Sequence, residues 1–332
     1  MKLKRAKNNP ILEPSGNSWE SIAVFNPATF YWNGTVHLLY RAVGEYERYI
    51  SRIGCATSQD GLNFKRLDEP IFEPIEEYEK WGVEDPRTVI LENTLYMTYV
   101  AHSGRSGPPR ALFPRLGISG ERKRVILSER GIPRIALASL DNLSSLDDLH
   151  SLPRRFRRHG CITPLGLYER DTVLFPERVN GKYVMLHRPR DWVGSDYGTD
   201  LPSIWIAYSE NLKDWYGHKI VMKPEREWEA EKIGTGPPPI KTEKGWLLVY
   251  HGVSADHEYR AGAALLNLHD PSKVIGRLPQ SILEPEEDYE RIGDVPNVVF
   301  PEGAAVLKDR LFIYYGAADK VCCVATGDLD MF

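Results

Sequence analysis

The sequence predicts an all-β chain folded as a five-bladed β-propeller, and three features lead there. Five times a Pro-containing turn runs into an apolar strand pair, in FNPATFYWNGTVHLLYRA, EDPRTVILENTLYMTYVA, FPERVNGKYVMLHRP, GPPPIKTEKGWLLVYHG and FPEGAAVLKDRLFIYYGA. With Pro27, Pro86, Pro176, Pro237 and Pro301 as markers, the units recur at roughly 60 residues, one interval being longer, and several short strands per repeat of that length make one propeller blade. A second motif follows each unit, as CATSQDGLNFKRL, ALASLDNLSSL, IAYSENLKDWYGHKIV, ALLNLHDPSKVI and VATGDLD, and reads as the outer hairpin of the blade.

In the first unit Val36, Leu38 and Tyr40 alternate along TVHLLYRA, and Asn33-Gly34 closes the turn before it; Asn180-Gly181 does the same in the third. The second unit owes its extra length to residues 103–131, an Arg-, Gly- and Pro-rich insertion that reads as a solvated loop, a lid over the axis or an oligomer contact. The last outer motif stops at Asp330, while NNPILEP near the start resembles DEPIFEP and QSILEP of other units. The beginning of the chain is therefore expected to complete the final blade and leave no free sheet edge. Residues 1–332 read as a single propeller domain carrying that insertion.

With 332 residues, 42% of them hydrophobic, the chain can bury a sizeable core. Its 42 Lys and Arg against 46 Asp and Glu leave a net charge of −4, which attracts neither nucleic acid nor an anionic membrane and points to a small, neutral ligand. MKLKRAKNNPILEP lacks the apolar run of a secretory leader, and no segment is long and apolar enough for a membrane span, so a cytoplasmic protein is expected. The four cysteines, Cys55, Cys161, Cys322 and Cys323, show no metal-ligand spacing and read as reduced, buried thiols. None of the nine histidines has metal-site spacing, and no cofactor is implied.

Matching loops of a propeller open onto one end of its axis, so the repeated turns are where function is expected. The sharpest is Gly82-Val83-Glu84-Asp85-Pro86-Arg87, in which Pro86 is expected to hold Asp85 extended so that only one of the two carboxylates faces the axis. The corresponding turns carry Asn26, Glu177, Lys232 with 234–239, and Glu302, and strand ends add Arg41, His187, Arg188, His251, Tyr259, Arg260 and Asp319. Carboxylates, cations and aromatic rings gathered around one axis suit a sugar bound beside an anion. Trp192, Tyr197 and Trp205 lie in a polar loop where they either stack on a sugar or pack within the blade.

The strings GVEDPR, LFPERVNGKYVMLHRP, KIGTGPPPIKTEKGWLLVYHG, DPSKVIGRLP, GDVPNVVFP and LFIYYGAAD resemble glycoside hydrolase family 130, the β-mannoside phosphorylases and related mannosidases. The resemblance spans nearly the whole chain except the insertion. It implies a five-bladed propeller and inverting attack of inorganic phosphate, a co-substrate rather than a cofactor, on a terminal β-mannoside to release α-mannose 1-phosphate. By motif match it implies Asp85 as general acid, delivering its proton through a mannose hydroxyl. It further implies Arg170, Arg188 and Lys232, with His251 and Tyr259, as phosphate contacts, and Asn26, Arg41 and Asp319 as mannose contacts, with Glu84 a structural or sugar-binding neighbour. The implied partners are a mannoside oligosaccharide and phosphate, with a homo-oligomer left open. Two alternatives remain at this level: a mannosidase of the same family that uses water, and a non-catalytic mannoside-binding propeller. Phosphate arrives as an anionic nucleophile and needs no base, whereas a hydrolase needs a second carboxylate.

Overall fold

The computed structural model describes residues 2–105, 107–141, 143 and 155–329, which form five antiparallel sheets. The first blade comprises Ala23–Trp32, Thr35–Val43, Ser51–Ser58 and Lys65–Arg66. Val83–Leu91, Thr94–Ala101, Arg134–Leu140 and Arg157–Cys161 make the second; Glu169–Leu174, Tyr183–Pro189, Ile204–Ser209 and Tyr216–Met222 the third. Lys232–Thr235, Trp246–Val253, Tyr259–Leu266 and Val274–Arg277 make the fourth, with Ile240–Lys241 beside it. The fifth is Val299–Leu307, Arg310–Ala317 and Val321–Asp328, completed on its outer edge by Lys4–Arg5 from the start of the chain. Asp330, where the last outer motif stops, and residues 142 and 144–146 of the second copy lie outside the described residues.

Inner strands are buried on both faces, so they read as apolar runs, and the larger hydrophobic clusters each join neighbouring blades. One cluster joins the first and second blades through Leu39, Ile53, Met97 and Tyr99; others join the second to the third through Val100, Leu137 and Met185, and the third to the fourth through Phe175, Leu186 and Trp246. Val249 and Ala263 meet Ile313 and Tyr315 between the fourth and fifth, and Phe312 and Tyr314 meet Val24 and Leu38 across the closure. Each buried Leu, Ile or Phe contributes about 1.5–3 kcal/mol, so stability is spread around the ring.

The polar hairpin turns behave as their sequences require. Asn33-Gly34 and Asn180-Gly181 both have positive φ at each residue, the mirror-image turn whose twist matches the strands it joins, and Glu92-Asn93 and Lys308-Asp309 adopt it without glycine. Cys55, Cys322 and Cys323 are buried free thiols, while Cys161 is only half-buried. No helix among the described residues is long and apolar enough to cross a membrane.

Two expectations need correction. Asp85 is not extended: its φ is 49°, and Asn26, also followed by proline, has φ 50°. Both stand where the first strand of the blade shifts register, between Glu84 and Arg87 and between Phe25 and Ala28, so a bulge, not the proline, sets their direction. The Pro176 marker is out of register as well. Pro27, Pro86 and Pro301 lie inside first strands, whereas Pro176 follows Glu169–Leu174, and the position matching Asp85 in the third blade falls at Arg170-Asp171, beside that strand's own register shift.

The insertion is a built structure rather than a solvated loop. It leaves the second blade after Thr94–Ala101, forms the helix Gly120–Ser128 and returns at Arg134–Leu140, with Phe113, Ile118 and Ile126 as its own small core.

Candidate active site

Side chains of all five blades meet on one axial cavity of about 170 Å³. Asn26, Arg41 and Asp85 come from the first two blades, Arg170, Asp171 and Arg188 from the third, Lys232, His251 and Tyr259 from the fourth, and Phe300 and Asp319 from the fifth. Of the residues that the family resemblance assigns to the site, Glu84 is the one that does not line it. Its backbone precedes the bulge and its side chain turns behind the cavity wall, where it is 1% exposed. Arg41 Nη2 at 2.6 Å, Arg170 Nη1 at 2.9 Å and His102 Nε2 at 3.0 Å surround its carboxylate. Burial opposes the charge, yet Arg41, His102 and Arg170 together hold the Glu84 carboxyl well below the usual range. Glu84 is thus the anchor that aims Arg41 and Arg170, rather than a sugar ligand.

Asp85 is fixed from one side. Asn26 Nδ2 donates to its Oδ1 at 2.9 Å and Arg41 Nη1 at 3.1 Å, while Oδ2 has no protein partner among the described residues. Arg41 is itself held by Ser51 Oγ at 2.9 Å and lies over the Phe25 ring. Asp319, φ 50°, completes this side. Burial, reinforced by Asp85, Asp294 and Glu84 and opposed by Arg41, raises its carboxyl to about 7.

The other wall is cationic. Arg170 Nε donates to Tyr168 Oη at 3.0 Å, and Lys232 Nζ to Tyr259 Oη at 3.0 Å. Arg188 forks onto Asp171, with Nε 2.8 Å from Oδ2, and Arg87 reaches Asp171 Oδ1 at 3.3 Å from below. Burial disfavours the charge on Asp171, but the Arg188 and Arg87 guanidiniums keep it ionised. Burial lowers His251 to about 3, so its ring is neutral; it stacks on Tyr259 and lies tilted against Phe300. Gly234 explains why KIGTG needs glycine, since a β-carbon there would lie 2.5 Å from Asp171 Oδ2 and 2.4 Å from His251 Cε1.

Sequence reasoning missed Asp171, Arg87 and the cavity-lining Val295, Val298 and Phe300. The signal for Asp171 was the ERD triplet, which the out-of-register Pro176 marker hid. Conversely, three expected axial residues lie elsewhere. Glu177 is an exposed partner of Lys241, Arg260 pairs with Glu258, and His187 turns into its blade between Glu169 and His218. Trp192, Tyr197 and Trp205 pack on one another and do not line the cavity. Glu302 sits under the floor, 2.8 Å from Arg87 but off a hydrogen-bonding direction. Burial raises its carboxyl well above the ordinary value.

A five-bladed propeller whose axial cavity sets Asp85 and Asp319 against Arg170, Arg188 and Lys232 has the polar, charged lining that suits a carbohydrate-active enzyme. Comparison with known proteins narrows this. The family model described as β-1,4-mannooligosaccharide phosphorylase matches residues 2–108 and 149–332, and the chain belongs to that family, glycoside hydrolase family 130. Among similar proteins, a 1,2-β-oligomannan phosphorylase of Thermoanaerobacter sp. (strain X514) is 42% identical over 98% of this chain and 97% of its own. A β-1,2-mannobiose phosphorylase of the same organism is 40% identical over 98% and 96%. The solved β-1,2-mannobiose phosphorylase of Listeria innocua in complex with β-1,2-mannobiose superposes with a TM-score of 0.77 at 27% identity, covering 99% of this chain and 97% of that one.

Proposed function

We propose that the chain catalyses reversible, inverting phosphorolysis of terminal β-mannosides, with β-1,2-linked manno-oligosaccharides as its substrates, releasing α-mannose 1-phosphate and the shortened acceptor. The observation that carries this reading is the pairing, across one cavity, of Asp85 with Arg170, Arg188 and Lys232. The β-1,2 linkage follows the two Thermoanaerobacter relatives.

In this mechanism Asn26, Arg41 and Asp319 grip the mannose hydroxyls, and Asp85 supplies the proton from Oδ2, its Oδ1 being occupied. Phosphate lies between Arg170, Arg188 and Lys232, with neutral His251 and the Tyr259 hydroxyl as further contacts. The fixed cations replace the water shell of the dianion and hold it in line with the anomeric carbon. A mannosidase would need a carboxylate free to activate water. Asp171 is the acidic residue on the cationic wall, and Arg188 and Arg87 occupy its oxygens, which disfavours that reading.

The test runs the reaction in the synthetic direction. Incubated with α-mannose 1-phosphate and a panel of mannose, β-1,2-mannobiose, glucose and N-acetylglucosamine, the enzyme releases phosphate with the manno-acceptors and forms β-1,2 products. Asp85→Asn abolishes turnover while mannoside binding stays within about tenfold, because the proton is lost and the Oδ1 acceptor is kept. Hydrolysis that ignores phosphate, or equal loss of binding and turnover in the variant, refutes the assignment.

A further inference from the structure

We propose that the insertion of the second blade builds an anion-selective acceptor pocket beside the axial cavity, one that takes the oxyanion group of a charged sugar, either a sugar phosphate or a uronate. This rests on the phosphorylase reading above. The pocket, about 470 Å³, gathers Arg105, Arg110, Arg130, Arg170 and Arg190 around Tyr168. Arg170 belongs to both cavities, so an occupant here adjoins whatever reacts at the axis.

The charge in this pocket is not balanced from within. No acidic side chain lines it among the described residues. Glu84 holds Arg170 and His102 from behind, and an exposed Glu129 reaches Arg105 at 3.0 Å. Arg110, Arg130 and Arg190 have no carboxylate partner among the described residues. Arg130 donates to Pro108 O at 2.8 Å, while its Nε is buried with nothing to bond. Burial, then the like charges of Arg110 and Arg170, pull the Arg130 guanidinium below its ordinary value. Guanidiniums crowded in this way favour a ligand that brings oxyanions, which they can grip two bonds at a time.

The volume and the apolar wall favour a sugar over inorganic phosphate alone. The pocket is larger than the 170 Å³ axial cavity. Ile132, Pro133 and the Tyr168 ring offer a surface for the C–H face of a pyranose. The wall is also held in place. A β-carbon on Gly131 would lie 2.5 Å from Gly104 N, and Arg105 N donates to Glu129 O at 3.0 Å, so the two ends of the insertion are pinned together. Arg110, Arg130 and Ile132 fall between residues 108 and 149, the stretch that the family model passes over, so this wall of the pocket lies outside what the family pattern describes.

The experiment compares mannose 6-phosphate, mannuronate and mannose as acceptors for α-mannose 1-phosphate, in the wild type and in Arg110→Ala/Arg190→Ala. At low ionic strength kcat/KM for one of the charged acceptors exceeds that for mannose by about tenfold, and the double variant erases the preference. Which charged acceptor gains identifies the oxyanion. No preference, or a preference that survives in the variant, overturns the proposal. So does a variant whose only change is a higher KM for inorganic phosphate in phosphorolysis, which would make the pocket a phosphate entrance. Calorimetric binding of mannose 6-phosphate against mannose decides the pocket independently of turnover. If binding is charge-selective and no acceptor reacts, it is the phosphorylase reading that fails.

Discussion

Asp319 shows how a residue can serve the site at a cost to the fold. Its carboxyl rises from 3.8 to about 7, first through burial and then through Asp85, Asp294 and Glu84. Below about pH 4 both folded and unfolded chains hold the proton and nothing is lost. Between pH 4 and 7 the unfolded chain ionises while the folded chain does not, so stability falls as pH rises, and above 7 the full penalty applies. Asp319→Asn carries no such charge. Its melting temperature gains on the wild type as pH rises, with a difference of about 2–4 °C or more between pH 5 and pH 8, read by calorimetry. The same variant raises KM for the mannoside at pH 8, because an amide cannot accept from two hydroxyls as a carboxylate does. A pH-independent gain would mean that Asp319 does not titrate in this range. At this scale the sequence was legible where a motif carried the residue, as with Asp85 and Lys232, and opaque where contact alone sets the role. Nothing in GVEDPR says that Glu84 points behind the wall, since a one-residue bulge decides it.

At the scale of the element, four blades share a brace that the repeat analysis did not recognise. Tyr40, Tyr99, Tyr250 and Tyr315, all on second strands, donate to Glu20, Glu79, Glu229 and Glu290, each fully buried. An arginine from the outermost strand, Arg66, Arg158, Arg277 or Arg5, neutralises each carboxylate. In the third blade His187 holds the tyrosine position and His218 faces it, while the cavity-lining Arg188 follows directly in sequence. The signal was present in YRA, YVA, HRP, YHG and YGA and in the acidic runs before the second, fourth and fifth blades, but only a known register joins the two. Removing one carboxylate leaves an arginine and backbone N–H groups unpaired in a dry setting. In Glu79→Ala the losers are Arg158, the Tyr99 hydroxyl and the amides of Ile75 and Glu76. Unfolding by denaturant should show a loss of about 3–5 kcal/mol, against at most about 1 kcal/mol for a surface pair such as Arg52–Glu73. Comparable small losses at both sites would show that the brace is ornamental.

For the whole molecule the question is what keeps the ring shut, because the axial site exists only while all five blades stand around it. The joint is the pairing of Lys4 and Arg5 with Thr326 and Ala325, a closure legible from the likeness of NNPILEP to DEPIFEP and QSILEP. In three blades the same motif bridges the third strand, through Leu12 to Cys322, Phe72 to Ile53 and Leu283 to Ala261. The start of the chain is thus an ordinary outer edge of a blade, displaced in sequence. Leu3 and Leu12 are buried, Leu3 N donates to Ile282 O, and Asn9 exchanges side-chain bonds with Val324 at 2.9 Å in both directions. Arg5 meets Glu290, which also carries the Tyr315 brace. Deleting residues 2–12 therefore removes two buried leucines at about 1.5–3 kcal/mol each and strands a buried carboxylate at about 3–5 kcal/mol. That loss rivals the whole stability of an ordinary domain, about 5–15 kcal/mol, so the truncated chain should lose its cooperative thermal transition and its activity together. Arg5→Ala alone should shift the transition down and leave its cooperativity intact. A truncated chain that melts within about 2 °C of the full one would mean that the blades hold one another without the strand, and that closure is not what preserves the site.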